Sequence, residues 1–244
     1  MKELSQIAST VRASTTLAID AMFKQMKADG IDVIGFGAGE PDFHTPDNIK
    51  EAGYAAIRDN FTCYTPTAGI PELRKAACIR LKEDCGLDYV PAQIVMASGA
   101  KHALYGALHA LVDPGDEVII PAPFWVTYFE MVRMLGAVPV IITAEESAGF
   151  KITPEQLAAA VTPKTKAILL NNPSNPTGMV YSREELRALA DVCVEKDIYI
   201  VADEIYYRLV YDGRTFTSIA ALGADVKERT IIINGVSKSY AMTG

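Results

Sequence analysis

Apolar residues from about Ile94 onward follow two spacings in turn. Short runs rich in β-branched residues are separated by stretches in which apolar residues recur every three or four positions. The first spacing is typical of buried strands and the second of helices packed on them. Their order predicts an α/β fold with a largely parallel sheet covered on both faces. The predicted strands cover 94–98, 117–121, 138–142, 166–172, 198–204 and 230–235.

Local signals define several helix ends. Ser182 and Glu185 have the Ser-x-x-Glu spacing of a capping box, which predicts a helix from there towards Glu195. Gly86 follows a helical pattern directly and is predicted to stop it. The other predicted helices cover 15–29, 46–59 and 71–85, a stretch from 101 onward, and part of 124–135.

Composition narrows the class of protein. Half of the 244 residues are apolar, which is enough for a sizeable core. The net charge of −7 is spread among interspersed acids and bases, so we expect no nucleic-acid partner. No stretch resembles a signal peptide or a membrane span, which predicts a cytoplasmic protein without a membrane partner. The four cysteines lack C-x-x-C spacing and histidine partners, so we expect neither a metal site nor a disulfide framework.

Two charged residues stand at the ends of apolar strands. Asp203 ends one such strand, where a buried carboxylate without a partner is costly, although it could also serve as a helix N-cap. Lys238 follows another, where an ammonium must lose its proton or find an anion. A deprotonated lysine is a nucleophile for carbonyl groups. Together the two residues suggest a carbonyl cofactor whose ring nitrogen faces the acid.

Three loops offer further candidate chemistry. The junction 98–100 joins a predicted strand to a helix, which suits a phosphate but is also the form of an ordinary βα turn. The loop 171–178, with two X-Pro steps, places Asn175 at the carboxyl edge of the sheet, or is only a structural turn. The glycine-rich stretch 35–43 lacks the spacing of a dinucleotide fingerprint, so by itself it is interpreted as a plain loop.

Seven motifs taken in order resemble one family. They are AGEPDF, YTPTAGIPELR, SGAKHAL, PFWVTY, NNPSNPTG, VADEIY and NGVSKSYAMTG. In order and spacing they are similar to class I aminotransferases, the fold-type I enzymes that use pyridoxal 5′-phosphate, and most of all to the bacterial aspartate aminotransferase subgroup. The resemblance implies a large domain over 46–244 with a mostly parallel mixed sheet between helices. It also implies that 1–45 would join the small domain, which would be largely missing because the chain looks truncated at its C-terminus.

The resemblance assigns roles to five residues. Lys238 would bind the cofactor covalently and later carry the proton between the substrate Cα and the cofactor C4′. Asp203 would pair with the pyridine nitrogen and keep it protonated. Tyr206 and Asn175 would hydrogen-bond the phenolic oxygen of the ring, and Asn175 would also bind the substrate α-carboxylate. Trp125 would stack on the ring and contact the substrate.

Further assignments complete the implied site. The remaining cofactor contacts would be Gly99, Ala100, Lys101, Ser237 and, from a neighbouring subunit of a homodimer, Tyr64. The remaining substrate contacts would be Gly39, Arg12, Thr15 and Lys101. Two arginines of the family would lie past the end of this chain, and Gly235 stands where some relatives have a serine.

The implied reaction is a ping-pong transfer of an amino group between an L-amino acid and a 2-oxo acid. Aspartate or glutamate is the expected donor, and aromatic amino acids, prephenate or alanine stay open. Two other reactions on the same cofactor, β-lyase and decarboxylase chemistry, also stay open. So do a cofactor-sensing domain of a transcription regulator and a fragment without activity.

Overall fold

Five parallel strands form one sheet in the computed structural model, which describes residues 2–3, 5–11, 15–37 and 39–244. In space the order is β2-β1-β3-β4-β5. All four pairings are parallel, so the predicted α/β fold with a mostly parallel sheet is confirmed, and no antiparallel pair occurs within those ranges. The strands are β1 (Glu117–Ala122), β2 (Val138–Thr143), β3 (Thr165–Asn171), β4 (Tyr199–Asp203) and β5 (Thr230–Ile233).

Helices precede the sheet and connect its strands. In chain order they are α1 (Gln6–Thr10), α2 (Thr15–Ala28), α3 (Asp47–Arg58), α4 (Pro71–Cys85), α5 (Gly99–Leu111), α6 (Thr127–Met134), α7 (Pro154–Ala160), α8 (Arg183–Glu195) and α9 (Ala224–Glu228). Short 3-10 turns cover Pro91–Gln93, Glu146–Ala148 and Ile219–Leu222. None of the helices in the described ranges has the length and apolar character that a membrane crossing requires.

Most helix ends agree with the local signals in the sequence. The backbone N–H of Glu185 donates to Ser182 Oγ at 3.1 Å, and the backbone N–H of Ser182 donates to the Glu185 carboxylate at 2.6 Å, so the predicted capping box is confirmed. Gly86 ends α4 in the left-handed conformation at φ +70°, as expected of a C-terminal stop. α6 begins at Thr127, after the predicted start of its apolar pattern.

The predicted strand at 94–98 is wrong. Within this stretch Met96 donates its backbone N–H to the carbonyl of Ala68, which belongs to a loop, and the segment pairs with no described strand. Val95 is 72% exposed, so its apolar side chain is not part of a buried ladder. β-Branched composition favours a strand only where a partner strand is within reach. The junction at Ser98 therefore leads from a loop into α5.

The core lies on both faces of the sheet, as predicted. On β3, Ile168 and Leu170 point to one face, and Ala167 and Leu169 point to the other, as the two-residue period of a strand requires. The first face packs against α7, α8 and α9, and the second against α5 and α6. Each fully buried Leu or Ile contributes about 1.5–3 kcal/mol, so these two layers fix the strand ends rigidly.

Candidate active site

The carboxyl ends of β3, β4 and β5 lie side by side. Asn171 at the end of β3 is level with Asp203 at the end of β4, and Asp203 is level with Ile233 at the end of β5. The segment that carries Lys238 therefore leaves the sheet next to Asp203. In open parallel sheets this edge is where ligands bind.

Asp203 is a buried carboxylate with two hydrogen-bond donors. Only 3% of the residue is exposed. One carboxylate oxygen accepts from the Tyr128 hydroxyl at 2.7 Å, and the other accepts from the backbone N–H of Ile205 at 3.1 Å. Burial raises the pKa of Asp203, and the two hydrogen bonds oppose that rise. No cation pairs with it in the described part of the chain, so a positively charged donor would complete its environment.

Asn175 and Tyr206 meet beside Asp203. The side-chain amide of Asn175 donates to the Tyr206 hydroxyl at 3.3 Å. Burial raises the pKa of Tyr206, the hydrogen bond from Asn175 lowers it, and the negative charge of Asp203 raises it further. The phenol is therefore neutral at physiological pH, with a proton available for an acceptor.

Lys238 is half-buried and points at the segment before α3. Its Nζ donates to the carbonyl of Gly39 at 2.6 Å and lies 6.0 Å from the centroid of the Tyr206 ring. Burial lowers the pKa of Lys238, and the charge of Glu40 opposes that change. The structure thus brings three of the residues singled out in the sequence into one group, with a lysine whose neutral form is favoured by its surroundings.

The turn around Lys238 is tied to the segment 39–45. The Thr45 hydroxyl donates to the carbonyl of Ala241 at 2.6 Å, and the Thr243 hydroxyl donates to the Glu40 carboxylate at 2.7 Å. Next to Lys238, the Ser239 hydroxyl is buried and has no hydrogen-bond partner in the described ranges. A buried hydroxyl without a partner is uncommon and is available to a ligand.

Trp125 and the start of α5 form the neighbouring wall. The Lys101 ammonium lies 5.0 Å from the centroid of the Trp125 ring, and that ring meets the Tyr128 ring edge-on at 5.4 Å. Gly99 opens α5 at φ +81°, and the side chain of Ser98 makes no capping bond. Gly99 donates its backbone N–H to the carbonyl of Ala97 at 2.9 Å, whereas no described group accepts from the N–H groups of Ala100 and Lys101. These two N–H groups at the start of the 13-residue helix are therefore available to an anion.

Tyr64 and the Ser237 side chain form no hydrogen bond with this group in the described part of the chain. Tyr64 is fully exposed and is covered by no described part of the chain. Ser237 is half-buried, and its backbone carbonyl accepts from Met242 at 3.0 Å. Arg12 and the side chain of Thr15 lie outside the described residues.

Sequence reasoning missed two residues that the structure places in the group. Tyr128 binds Asp203, and its position three residues after Trp125, in a stretch predicted to be helical, was an available signal. Asn171 contacts both Asn175 and Asp203, and its position as the first residue after an apolar run was the signal there. The Asn171 contact could not be assigned without the register of β3 against β4, and the Tyr128 contact could not be assigned without the packing of α6 on the sheet.

Comparisons with known proteins agree with this geometry. The family described as aminotransferase class I and II matches residues 31–244. Aspartate aminotransferases of Bacillus sp. (strain YM-2) and Bacillus subtilis (strain 168) are 52% and 51% identical to this chain, over 100% and 99% of its length. The chain spans 62% of the length of each.

Solved structures give the same result. The aspartate aminotransferase of Rhizobium meliloti superposes with a TM-score of 0.95 at 43% identity, over 100% of this chain and 61% of that protein. The Thermus thermophilus aspartate aminotransferase with maleate gives a TM-score of 0.95 at 43% identity, over 100% of this chain and 63% of that protein. The match to the family covers most of the chain, includes every strand of the sheet and includes the Lys238 turn, so this chain belongs to the class I and II aminotransferases.

Proposed function

We propose that this chain carries the cofactor-binding part of an aminotransferase that moves an amino group between aspartate or glutamate and a 2-oxo acid. Its family depends on pyridoxal 5′-phosphate. The observation that supports the proposal most is the meeting of a half-buried lysine, a buried carboxylate and an Asn–Tyr pair at one sheet edge.

The residues at this edge fit the cofactor group by group. The carboxylate of Asp203 pairs with no cation among the described residues and suits a protonated ring nitrogen. The uncapped start of α5 suits a phosphate, and the Ser239 hydroxyl beside Lys238 has no described hydrogen-bond partner. The face of Trp125, now near a lysine ammonium, suits a flat ring.

When bound, the cofactor supplies a ring that accepts electron density from the substrate Cα. Asp203 would hold the proton on the ring nitrogen, and Tyr128 and the backbone N–H of Ile205 hold the carboxylate in place. Asn175 and Tyr206 would donate to the phenolic oxygen. Burial lowers the pKa of Lys238, which favours the amine form that would hold the cofactor at its aldehyde carbon. Once the substrate amine had displaced it there, Nζ would carry the proton between the substrate Cα and C4′.

The substrate assignment follows the relatives and the charges near the site. Relatives that are 52% and 51% identical are named aspartate aminotransferases, and a relative from Cereibacter sphaeroides is named aspartate/prephenate aminotransferase. One solved relative holds maleate, which is a dicarboxylate. Lys101 is an exposed cation beside Trp125 and is proposed to bind the distal carboxylate. Gly39 offers backbone contact to the substrate, and Arg12 and Thr15 remain proposed contacts.

The assembly is also part of the proposal. The exposed Tyr64 ring is available to reach the phosphate of a second subunit, so we propose a homodimer. The phosphate itself is proposed to lie at Gly99, Ala100, Lys101 and Ser237. The division into 1–45, joining a small domain, and 46–244, as the large domain, stays a prediction, as does the cytoplasmic location.

An absorbance titration with pyridoxal 5′-phosphate tests the cofactor proposal. We expect a visible band and, after borohydride reduction and peptide mass mapping, an adduct on Lys238. Lys238→Ala should abolish both, whereas Lys164→Ala, at the opposite end of the sheet, should change neither. A folded protein without the band, or an adduct on another lysine, would contradict the proposal.

A panel of amino donors tests the substrate. Aspartate, phenylalanine and alanine, each with 2-oxoglutarate, and glutamate with oxaloacetate, should give the highest kcat/KM for the two acidic donors. A protein that turns over phenylalanine or alanine but neither acidic donor would rule out the proposed substrate class while leaving the cofactor assignment intact.

A further inference from the structure

The side-chain amide of Asn171 joins two backbone segments of the candidate site. Its Oδ1 accepts from the backbone N–H of Asn175 at 2.6 Å, and its Nδ2 donates to the backbone carbonyl of Asp203 at 2.9 Å. One partner can only donate and the other can only accept, so the orientation of the amide is fixed by chemistry. We call these two hydrogen bonds the Asn171 bridge.

We infer that Asn171 is a positioning residue, whose bridge sets the separation between Asn175 and the Asp203–Tyr206 turn and thereby the grip of the site on the cofactor's phenolic oxygen. The inference rests on the proposed function. Asn171 itself acts through Asn175 and Tyr206, and no contact between Asn171 and the cofactor is required.

Past the end of the β3–β4 ladder, no backbone hydrogen bond in the described chain joins the loop that carries Asn175 to the Asp203–Tyr206 turn. Asn172 donates its backbone N–H to the Asp203 carbonyl at 3.0 Å, and this is the last bond of the β3–β4 ladder. Beyond it, the backbone bonds of the loop are internal, from Ser174 N–H to the Met179 carbonyl and from Gly178 N–H to the Ser174 carbonyl, each at 2.9 Å. Glu204 donates its N–H to Ile233 of β5. Among the described hydrogen bonds, only the Asn171 bridge and the Asn175–Tyr206 contact then connect the loop to the turn.

The Asn171 bridge should affect the Asn175–Tyr206 contact more than the Asp203 carboxylate. The Asn175–Tyr206 contact is long, at 3.3 Å, so a small shift of the Asn175 backbone would break it. The Asp203 carboxylate has its own supports in Tyr128 and Ile205, and Asn171 holds only the Asp203 carbonyl. Loss of the bridge should therefore weaken contacts to the phenolic oxygen while the ring-nitrogen side is kept.

Two variants separate the bonds of the bridge. Asn171→Leu removes both hydrogen bonds at nearly constant size. Asn171→Asp keeps an acceptor for the Asn175 N–H but loses the donor to Asp203. Ser182→Ala is the matched control, because it removes a hydrogen bond at the start of α8 and touches neither segment.

Cofactor binding gives the first readout. We expect Asn171→Leu to weaken pyridoxal 5′-phosphate binding about tenfold and to shift the pH midpoint of the visible band, with Ser182→Ala unchanged in both. In an Asn175→Ala background, Asn171→Leu should add little, because both act on the same contact. Equal affinity and midpoint in Asn171→Leu and in the control would overturn the positioning role.

Amide hydrogen exchange without cofactor gives an independent readout. The Asn175 N–H should exchange about tenfold faster in Asn171→Leu and keep its protection in Asn171→Asp. Unchanged exchange in Asn171→Leu would overturn the bridge itself. A wild-type protein that binds no cofactor would overturn the proposed function and the cofactor part of this inference, while the exchange data would still decide the bridge.

Discussion

The two parts of the chain on either side of Leu87 differ sharply in burial. Among the described side chains, none before Leu87 is buried, and both apolar clusters are built from residues after it. α3 and α4 contain no buried residue at all. All of the strands, and most residues of the candidate site, belong to the later part. We call 2–86 the early region and 87–244 the sheet region.

The comparison shows that an amphipathic pattern in a helix does not establish that its apolar side is buried. α3 has apolar residues along one side, yet Ile57 is 69% exposed and Tyr54 is also exposed. Phe36, Phe61 and Tyr64 are also exposed, so the early region has several large apolar side chains that the described chain leaves uncovered. The proposed homodimer would supply one such covering surface.

The largest expected contrast is between core substitutions in the two regions. Leu186 of α8 is fully buried, so Leu186→Ala should lower the free energy of unfolding by about 2–5 kcal/mol. Ile57→Ala in α3 should change it by less than about 0.5 kcal/mol. Urea denaturation followed by circular dichroism measures both. An Ile57→Ala loss that matches Leu186→Ala and grows with protein concentration would show that a second copy covers α3.

The buried acid Glu204 of the sheet region should make the free energy of unfolding depend on pH, whereas an exposed acid of the early region should not. Glu204 of the sheet region accepts from the Ser218 hydroxyl at 2.8 Å and from Ile219 N–H at 3.3 Å, and its other oxygen is buried without a partner among the described residues. Burial raises the pKa of Glu204 from 4.5 to about 8. The folded state therefore holds a proton that the unfolded state releases across this range. Stability should be full below pH 4.5 and fall as pH rises towards about 8.

Glu204→Gln tests this pH dependence. The wild-type free energy of unfolding should fall between pH 6 and 8 by up to about 1.4 kcal/mol per pH unit. The Gln variant cannot ionise and should be flat in this window. Asp47→Asn, at an exposed carboxylate of α3, is the control and should keep the wild-type slope. A wild-type profile that is already flat from pH 6 to 8 would mean that Glu204 is not held neutral by its surroundings.

Local signals in the sequence predicted the fold better than they predicted pairing. Gly86 and the Ser182–Glu185 box act within one helix turn, so their roles were legible from spacing alone. Residues 94–98 have strand composition but no strand partner, and sequence spacing contains no information about which segment lies alongside. The strand preference of 94–98 is therefore not realised, because in the described structure this segment lies beside a loop.

The residues of the candidate site likewise fall into those that the sequence identified and those whose contacts depend on tertiary packing. Lys238 and Asp203 were recognisable because a charged group at the end of an apolar strand is costly to bury without a partner. The family resemblance then gave them roles. Tyr128 reaches Asp203 across 75 positions, and Asn171 reaches it through the register of β3 against β4. Such contacts depend on how layers stack, so a single sequence without related sequences does not predict them.

The contacts of Asp84 in α4 with Arg208 and Tyr207 join the early region to the sheet region. We expect them to contribute less to the free energy of unfolding than a buried core residue does. Asp84 of α4 accepts from Arg208 at 2.8 and 2.9 Å and from the Tyr207 hydroxyl at 3.0 Å. Burial raises the pKa of Asp84, but the hydrogen bonds from Arg208 and Tyr207 outweigh it, so the pKa is lowered overall. The stabilisation is therefore present above the ordinary pKa of an aspartate and is lost as pH falls through the lowered one.

Asp84→Asn measures this joint. We expect a loss of about 1–2 kcal/mol at pH 7 and low salt, and a smaller loss at high salt, because Arg208 is partly exposed. Asp88→Asn, which removes a more exposed partner of Lys82, is the matched control and should cost less than about 0.5 kcal/mol. Equal losses in the two variants would show that α4 is not anchored to the sheet region through Asp84.

The smallest expected effect concerns helix ends. α8 of the sheet region begins with the reciprocal Ser182–Glu185 bonds, whereas α3 of the early region begins after Pro46 without a side-chain cap. Ser182→Ala should cost about 0.5–1 kcal/mol in the free energy of unfolding, because the N–H of Glu185 loses its acceptor. Ser182→Asp should keep most of that stability, since a carboxylate also accepts there and favours the positive end of the helix. An equal loss in both variants would mean that packing of α8 on the sheet, rather than its cap, fixes where the helix begins.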